Sequence, residues 1–159
     1  MKAVLDFLDN QKISYDLVEH EPVHTIEDME KLGLLDKGYV CKNLFLRNAN
    51  GKIHYLICCH HGKNIKLDEL REKIGSSKLS FASAERLEKY LKLEAGCVSP
   101  FGILNDESKS VIAVFDEDLK NEKRAGFHPN INTATLYLDF QNILSIIENH
   151  GNQYLFVKF

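Results

Sequence analysis

YVCKNLFLRNANGKIHYLICC, residues 39–59, predicts a β-hairpin at the centre of the fold. Two apolar runs, at 44–46 and 53–57, flank the pair Asn50-Gly51. This pair is typical of a two-residue type I′ turn. The two runs are therefore expected to be strands that pair antiparallel.

The segments on both sides of the hairpin alternate irregularly between helix and strand. Apolar spacing, caps and glycine stops predict helices at 2–10, 25–33 (Thr25 as N-cap), 66–74 (ended by Gly75), 82–93 (ended by Gly96) and 142–149, and strands at 14–19, 110–115, 133–140 and 154–159. This order favours a mixed α/β fold, with a central mixed β-sheet and helices packed on it, over a regular βαβ array. The length of 159 residues and the hydrophobic content of 44% predict a single domain, 1–159.

Positive charge is concentrated in one stretch of an otherwise acidic chain. The net charge of -3 excludes a uniformly basic nucleic-acid-binding surface. Residues 37–66 nevertheless contain no Asp or Glu and six basic residues: Lys37, Lys42, Arg47, Lys52, Lys63 and Lys66. We take Lys37, Arg47, Lys63 and Lys66 as candidates for phosphate contacts. The alternative is an ordinary solvated strand face.

Cysteine usage and hydropathy predict a reduced, cytoplasmic protein. The four cysteines lack CxxC spacing, the N-terminus does not resemble a signal peptide, and no apolar stretch is long enough to span a bilayer. The run Cys58-Cys59-His60-His61 looks metal-like, but adjacent strand residues point to opposite faces, so at most two could share an ion. We therefore expect no metal, no cofactor and no membrane contact.

Three segments carry polar residues that a purely structural role does not require. They are Cys41-Lys42-Asn43-Leu44-Phe45-Leu46-Arg47, the glycine-bracketed Gly96-Cys97-Val98-Ser99-Pro100-Phe101-Gly102, and Gly126-Phe127-His128-Pro129-Asn130-Ile131-Asn132-Thr133-Ala134-Thr135. Glycines allow backbone N–H groups to approach a ligand, and the third segment holds a histidine with several amides and hydroxyls. Each segment alone is also compatible with an edge charge, a plain turn or a self-capped loop.

Together, in this order and spacing over essentially the whole chain, the three motifs resemble the YbaK/ProX family of aminoacyl-tRNA deacylases, and in particular its prolyl-tRNA-editing type. The resemblance implies hydrolysis of alanine mischarged onto proline tRNA in a small pocket. It implies that Lys42 is the residue most closely tied to activity, and that Asn43, the Gly96–Gly102 loop and the His128 loop surround the same pocket. The partners it implies are the acceptor end of a mischarged tRNA and, as a candidate, prolyl-tRNA synthetase.

We expect a mechanism that places the ester, stabilises the oxyanion and admits water. Lys42 supplies the positive charge, and His128 is either a general base or a structural hydrogen-bonding group. Ile26, Leu44, Val98 and Phe101 are the expected pocket walls. The remaining candidates for substrate binding are Thr25, Gly96, Ser99, Pro100, Gly102, Asn132 and Thr133.

Other functions stay open at this stage. Cys97 or Ser99 could be a nucleophile, although the chain has no G-x-S-x-G elbow. The rivals to alanine editing are a deacylase acting on seryl- or cysteinyl-tRNA, and a non-catalytic module that binds an acylated tRNA end or an amino acid.

Overall fold

The computed structural model describes residues 1–159 and confirms the mixed α/β class. The helices are α1 (Lys2–Asn10), α2 (Ile26–Lys31), α3 (Leu67–Ile74), α4 (Ala84–Leu91) and α5 (Phe140–His150). The strands are β1 (Asp16–Glu19), β2 (Tyr39–Arg47), β3 (His54–His60), β4 (Ser80–Phe81), β5 (Ile112–Asp116), β6 (Ala125–Phe127), β7 (Ala134–Leu138) and β8 (Tyr154–Val157). Short 3₁₀ helices cover Leu35–Lys37, Pro100–Asn105 and Glu117–Leu119.

All eight strands form one mixed sheet in the order β1-β7-β6-β2-β3-β5-β8, with β4 paired to β2 outside this path. The β2–β3, β2–β4, β1–β7 and β6–β7 pairs are antiparallel, and the β2–β6, β3–β5 and β5–β8 pairs are parallel. Strand β2 therefore lies in the middle of the sheet, where side chains on both of its faces meet packed layers.

Alternation along β2 divides the core between the two faces of the sheet. Cys41 and Phe45 belong to the largest apolar cluster, which includes residues of α1, α4 and α5. Leu46 belongs to a second cluster with Leu70 of α3, and Val40 to a third with residues of α2. Successive strand residues point to opposite faces, so one strand joins three clusters. No helix is both long enough and apolar enough to cross a bilayer.

The predicted hairpin is present, but its turn differs from the expected type I′ turn. Arg47 pairs with His54, which leaves a six-residue loop at 48–53, and of Asn50 and Gly51 only the glycine has positive φ. The buried Asn48 accounts for the difference. Its Oδ1 accepts hydrogen bonds from the N–H groups of residues 52 and 53, and these bonds organise the longer loop.

Helix α4 is shorter than the predicted 82–93. Ser83 caps its first turn by accepting from the Arg86 N–H at 3.2 Å. The C-terminal cap is Lys92, which takes the left-handed conformation at φ 52°, and not the predicted Gly96. The two residues before Ser83, 81 and 82, extend along β2 instead, with Phe81 in β4. Strands β4 and β6 were not predicted because two or three residues are too short to show a period.

Candidate active site

Strand β2 has a gap in its pairing on one side. Strand β6 pairs with it at 39–40 and β4 pairs with it at 46–47, but no strand lies beside the residues between them. Asn43 stands in the middle of this gap. The site is therefore a break in the sheet edge that neighbouring loops surround.

The register directs backbone polar groups into the gap. Val40 accepts the His61 N–H from the β3 side, whereas Phe45 accepts the Ala82 N–H from the opposite side. Because an antiparallel strand alternates the direction of its backbone groups, the N–H and C=O of Asn43 point away from β3. They are available to a ligand.

A pocket of about 320 Å³ opens at this gap. It is lined by Val23, His24, Thr25, Ile26, Met29, Cys41, Lys42, Asn43, Gly96, Val98 and His128. The structure thus brings together residues from all three sequence motifs and from the start of α2. The volume lies at the small end of the range for ligand pockets.

Lys42 carries an uncompensated charge in the pocket wall. Its side chain is half-buried, and no carboxylate oxygen lies within 4.0 Å of its ammonium group. Burial lowers the pKa of the neighbouring His61, and the positive charges of His60 and Lys42 lower it further. The ammonium group is free to bind an anionic or carbonyl oxygen.

The Asn43 side chain is also without a protein partner. Its Oδ1 is buried and accepts no hydrogen bond. A buried polar atom left in this state costs about 1 to 3 kcal/mol. Such groups are rare in folded proteins, and one in a pocket wall points to a ligand that completes the hydrogen bonding.

His128 is held neutral and in one tautomer. Its Nδ1 lies 3.0 Å from the Ala134 carbonyl oxygen, which only accepts, so Nδ1 carries the proton and Nε2 keeps its lone pair. Burial lowers the pKa of His128 against the opposing effect of this hydrogen bond, and His20, whose ring centroid lies 6.4 Å away, lowers it further. A neutral imidazole with a free Nε2 can accept a proton from water.

The start of α2 forms one side of the pocket. Thr25 caps the helix by accepting from the Asp28 N–H at 3.0 Å, and the Asp28 carboxylate in turn accepts from the Thr25 N–H at 3.2 Å. This reciprocal capping box fixes where the helix begins, and so places Ile26 and Met29, one helical turn apart, against the pocket.

The Gly96–Gly102 loop contributes only its first part to the pocket. Gly96, at φ +86°, and Val98 line it. Ser99 is buried and accepts the Phe101 N–H at 3.2 Å, which starts the 3₁₀ helix at 100–105. Within that helix, Pro100, Phe101 and Gly102 are buried, and Phe101 belongs to the main core rather than to a pocket wall.

Three other expected contact residues stand behind the pocket rather than in its lining. Leu44 packs against the cluster under α3, on the far side of β2 from the Val98 loop. Asn132 holds residue 23 through its Nδ2, 3.3 Å from the Val23 carbonyl oxygen, and Thr133 accepts the His20 N–H at 2.9 Å. These loop residues shape the wall without touching its interior.

The four residues expected at the tRNA surface are in different states. Lys63 is committed to an internal ion pair, with its Nζ 2.7 Å from the buried Asp116 carboxylate and 2.6 Å from Asp118. Lys66 is exposed and only 4.0 Å from Glu69, and neither Lys37 nor Arg47 forms an ion pair. The assignment of Lys63 to phosphate contact is therefore replaced by a structural one.

The cysteines and the metal-like run show no catalytic arrangement. Burial and the charge of Glu94 raise the pKa of the Cys97 thiol, which is the opposite of what a thiolate nucleophile needs. No group of three or more His, Cys, Asp or Glu side chains that could hold a metal ion is present.

Sequence reasoning missed four residues of the pocket lining: Val23, His24, Met29 and Cys41. Cys41 precedes Lys42 in the first motif, so the sequence alone could have identified it as a pocket residue. Met29 could have been found from its helical spacing to Ile26. Val23 and His24 precede a helix cap and carry no pattern that distinguishes them.

Comparison with known proteins identifies the family of the chain. Residues 20–146 match the family model described as aminoacyl-tRNA editing domain. The chain is 49% identical to the prolyl-tRNA editing protein ProX of Acetoanaerobium sticklandii, over 96% of this chain and 93% of that protein. It is 31% identical to prolyl-tRNA synthetase associated domain-containing protein 1 of Danio rerio, over 92% of this chain and 80% of that protein.

The fold matches as well. A crystal structure of a proposed trans-editing enzyme for prolyl-tRNA synthetase superposes with a TM-score of 0.72 and 20% identity, covering 99% of this chain and 96% of that one. The family model and the 49% identical relative define the class: an aminoacyl-tRNA deacylase, an ester hydrolase that edits mischarged tRNA. The chain belongs to the aminoacyl-tRNA editing domain family.

Proposed function

We propose that this protein hydrolyses alanyl-tRNA(Pro), releasing alanine and free tRNA. The observation that carries the proposal is the uncompensated Lys42 ammonium inside a pocket of about 320 Å³. The 49% identity to a prolyl-tRNA editing protein supports the choice of tRNA.

The small pocket supplies a selection that a synthetase cannot make. A synthetase site shaped for a larger amino acid rejects a smaller one by only about 1 to 3 kcal/mol per missing methylene. A second site therefore has to select by size in the opposite direction. Val23, Ile26, Met29 and Val98 are the apolar side chains that line the pocket beside Lys42, and the proposal assigns to them the exclusion of the larger prolyl group.

The reaction is addition of water to the ester carbonyl followed by loss of the ribose oxygen. Lys42 and the free Asn43 N–H donate to the carbonyl oxygen and stabilise the oxyanion as it forms. The bond from the water oxygen to the carbonyl carbon forms, the bond to the ribose oxygen breaks, and the proton of the water passes to the leaving oxygen. His128 Nε2, or the neighbouring ribose hydroxyl of the tRNA, relays this proton.

The direct test incubates the purified protein with alanyl-, seryl- and cysteinyl-tRNA and follows release of each amino acid. Fast release of alanine alone supports the proposal. Preferred release of serine or cysteine reassigns the substrate, and binding without release makes the protein a recognition module. A Lys42→Ala variant assayed beside the wild type excludes a contaminating hydrolase.

Two further parts of the proposal concern the cellular setting. We propose that the protein acts in the cytoplasm and that it meets its substrate near prolyl-tRNA synthetase. Co-elution of the two purified proteins in gel filtration, with and without proline tRNA, tests the second part. Separate elution under both conditions rejects it.

A further inference from the structure

Phe81 is an aromatic side chain that the fold leaves in solvent. It is 63% exposed, whereas every other phenylalanine and tyrosine is buried or half-buried. Apolar surface of this size is ordinarily buried, because its burial is favourable in proportion to its area. The exposed ring is thus available to a planar partner.

The pairing of β4 places Phe81 at the end of the pocket gap. Phe81 pairs with Leu46, so its side chain lies on the face of β2 that also carries Lys42, four residues earlier. The following residue, Ala82, donates to the Phe45 carbonyl oxygen at 3.0 Å and closes the gap. Asn43 is two residues from Phe45, or about 7 Å along the strand. Phe81 is therefore outside the pocket lining but close to the end of the gap that carries the pocket.

The chain around Phe81 is positively charged. Residues 73–84 contain Lys73 and Lys78 and no Asp or Glu. Lys78 is exposed and forms no ion pair. Phe81 follows Lys78 by three residues, and its register places it about 13 Å along β2 from the free Lys42. An exposed aromatic ring with cations on either side along the chain direction matches the chemistry of single-stranded nucleic acid, in which bases stack and phosphates pair with cations.

We propose that Phe81 is the stacking surface for an unpaired nucleobase at the acceptor end of the tRNA whose acyl group lies in the pocket. This inference rests on the proposed function and adds the contact that holds the RNA. Base stacking of this kind is lost when the aromatic residue is replaced by alanine, and the affinity falls roughly 5- to 150-fold.

Fluorescence tests the contact without any catalysis. The protein contains no tryptophan, so Phe81→Trp creates a single reporter. Titration with the trinucleotide CCA should quench its emission in a saturable manner. The matched control is Tyr154→Trp, a half-exposed aromatic position in β8, three strands away from β2, and it should show no saturable change. Equal responses of the two reporters, or none, overturn the proposal.

Kinetics provide the second arm. Phe81→Ala should raise KM for alanyl-tRNA by roughly 5- to 150-fold with kcat within about twofold of wild type, and Phe81→Tyr should restore KM. The urea midpoint should be unchanged because the ring is exposed. An unchanged KM overturns the stacking role and leaves the proposed function intact. Absence of deacylation by the wild type rejects the proposed function, and the fluorescence titration then decides on Phe81 alone.

Discussion

His54 makes the fold sensitive to acid. The residue is 2% exposed, and its ring centroid lies 4.1 Å from that of Tyr90 and 5.4 Å from that of Phe45. Its Nε2 lies 3.2 Å from Nη1 of Arg86, and because a guanidinium group only donates, Nε2 accepts. Burial, and after it the charge of Arg86, lowers the pKa of His54 to about 4.

The direction of the pH effect follows from this lowered pKa. Above pH 6.5, the ordinary pKa of histidine, His54 is neutral in both the folded and the unfolded chain, so its titration does not change the stability. As the pH falls from 6.5 towards 4, His54 binds a proton in the unfolded chain but not in the folded protein, so stability is lost across this pH range. The difference between 6.5 and about 4 corresponds to roughly 3 kcal/mol, at about 1.4 kcal/mol for each pH unit.

Urea unfolding between pH 7.5 and pH 4 measures the effect. His54→Gln keeps an acceptor for Arg86 but does not titrate, so its free energy of unfolding should fall by roughly 3 kcal/mol less than that of the wild type over this range. The exposed His24, replaced by Gln, is the control and should follow the wild type. Parallel curves for the wild type and His54→Gln would refute the assignment of a buried neutral imidazole.

The remaining predictions concern the pocket and its surroundings. Lys42→Met should lower kcat at least about 100-fold, as loss of an oxyanion donor does, with no loss of stability in urea; turnover near that of the wild type would contradict its role. Met29→Ala should widen the pocket, raise the hydrolysis rate of prolyl-tRNA relative to alanyl-tRNA, and cost about 2 to 5 kcal/mol of stability in urea. Lys63→Met should lower the free energy of unfolding by roughly 3 kcal/mol, because it leaves the buried Asp116 carboxylate without its cation. Lys66→Met should change the free energy of unfolding by no more than about 0.5 kcal/mol, and should instead raise KM at low salt. If His128 is the base, wild-type kcat should fall as the pH is lowered through the lowered pKa of His128, because the protonated ring cannot accept a proton. His128→Asn should then be slower, with a flat pH profile over the same range. Matching profiles of the two proteins would leave the tRNA hydroxyl as the relay.

The fold was accessible from the sequence where local patterns and tertiary structure agree. The apolar runs at 44–46 and 53–57 pair as predicted, and the Thr25 cap begins α2 where expected. The prediction of a type I′ turn between those runs was wrong because the buried Asn48 side chain stabilises a longer loop. The pair Asn50-Gly51 alone does not reveal this effect.

The motif residues of the site were predictable, but the shape of the pocket was not. Lys42 and His128 come from motifs 86 residues apart, and the structure brings both to one pocket. Phe101, expected in the pocket wall, belongs to the main core because it lies in the 3₁₀ helix at 100–105, whereas Met29, which was not expected there, lines the pocket. Which face a loop residue presents depends on hydrogen bonds such as the one between Ser99 and the Phe101 N–H, and composition does not determine them.

The site is distinguished from the rest of the molecule by what the fold leaves unsatisfied. Elsewhere, Lys63 is paired with Asp116 and His54 accepts from Arg86, and the buried oxygens without a partner are single atoms, Ser76 Oγ and Asn130 Oδ1. In the gap of β2, by contrast, one ammonium group, one side-chain amide and one stretch of backbone have none. In the proposed complex, the ester carbonyl oxygen accepts from the Lys42 ammonium and the Asn43 N–H, and the α-amino group of the amino acid donates to the Asn43 Oδ1. Under the proposed function, two of these groups, the Lys42 ammonium and the Asn43 N–H, meet the substrate at its reacting carbonyl, where donors stabilise the oxyanion of the transition state more than the ground state.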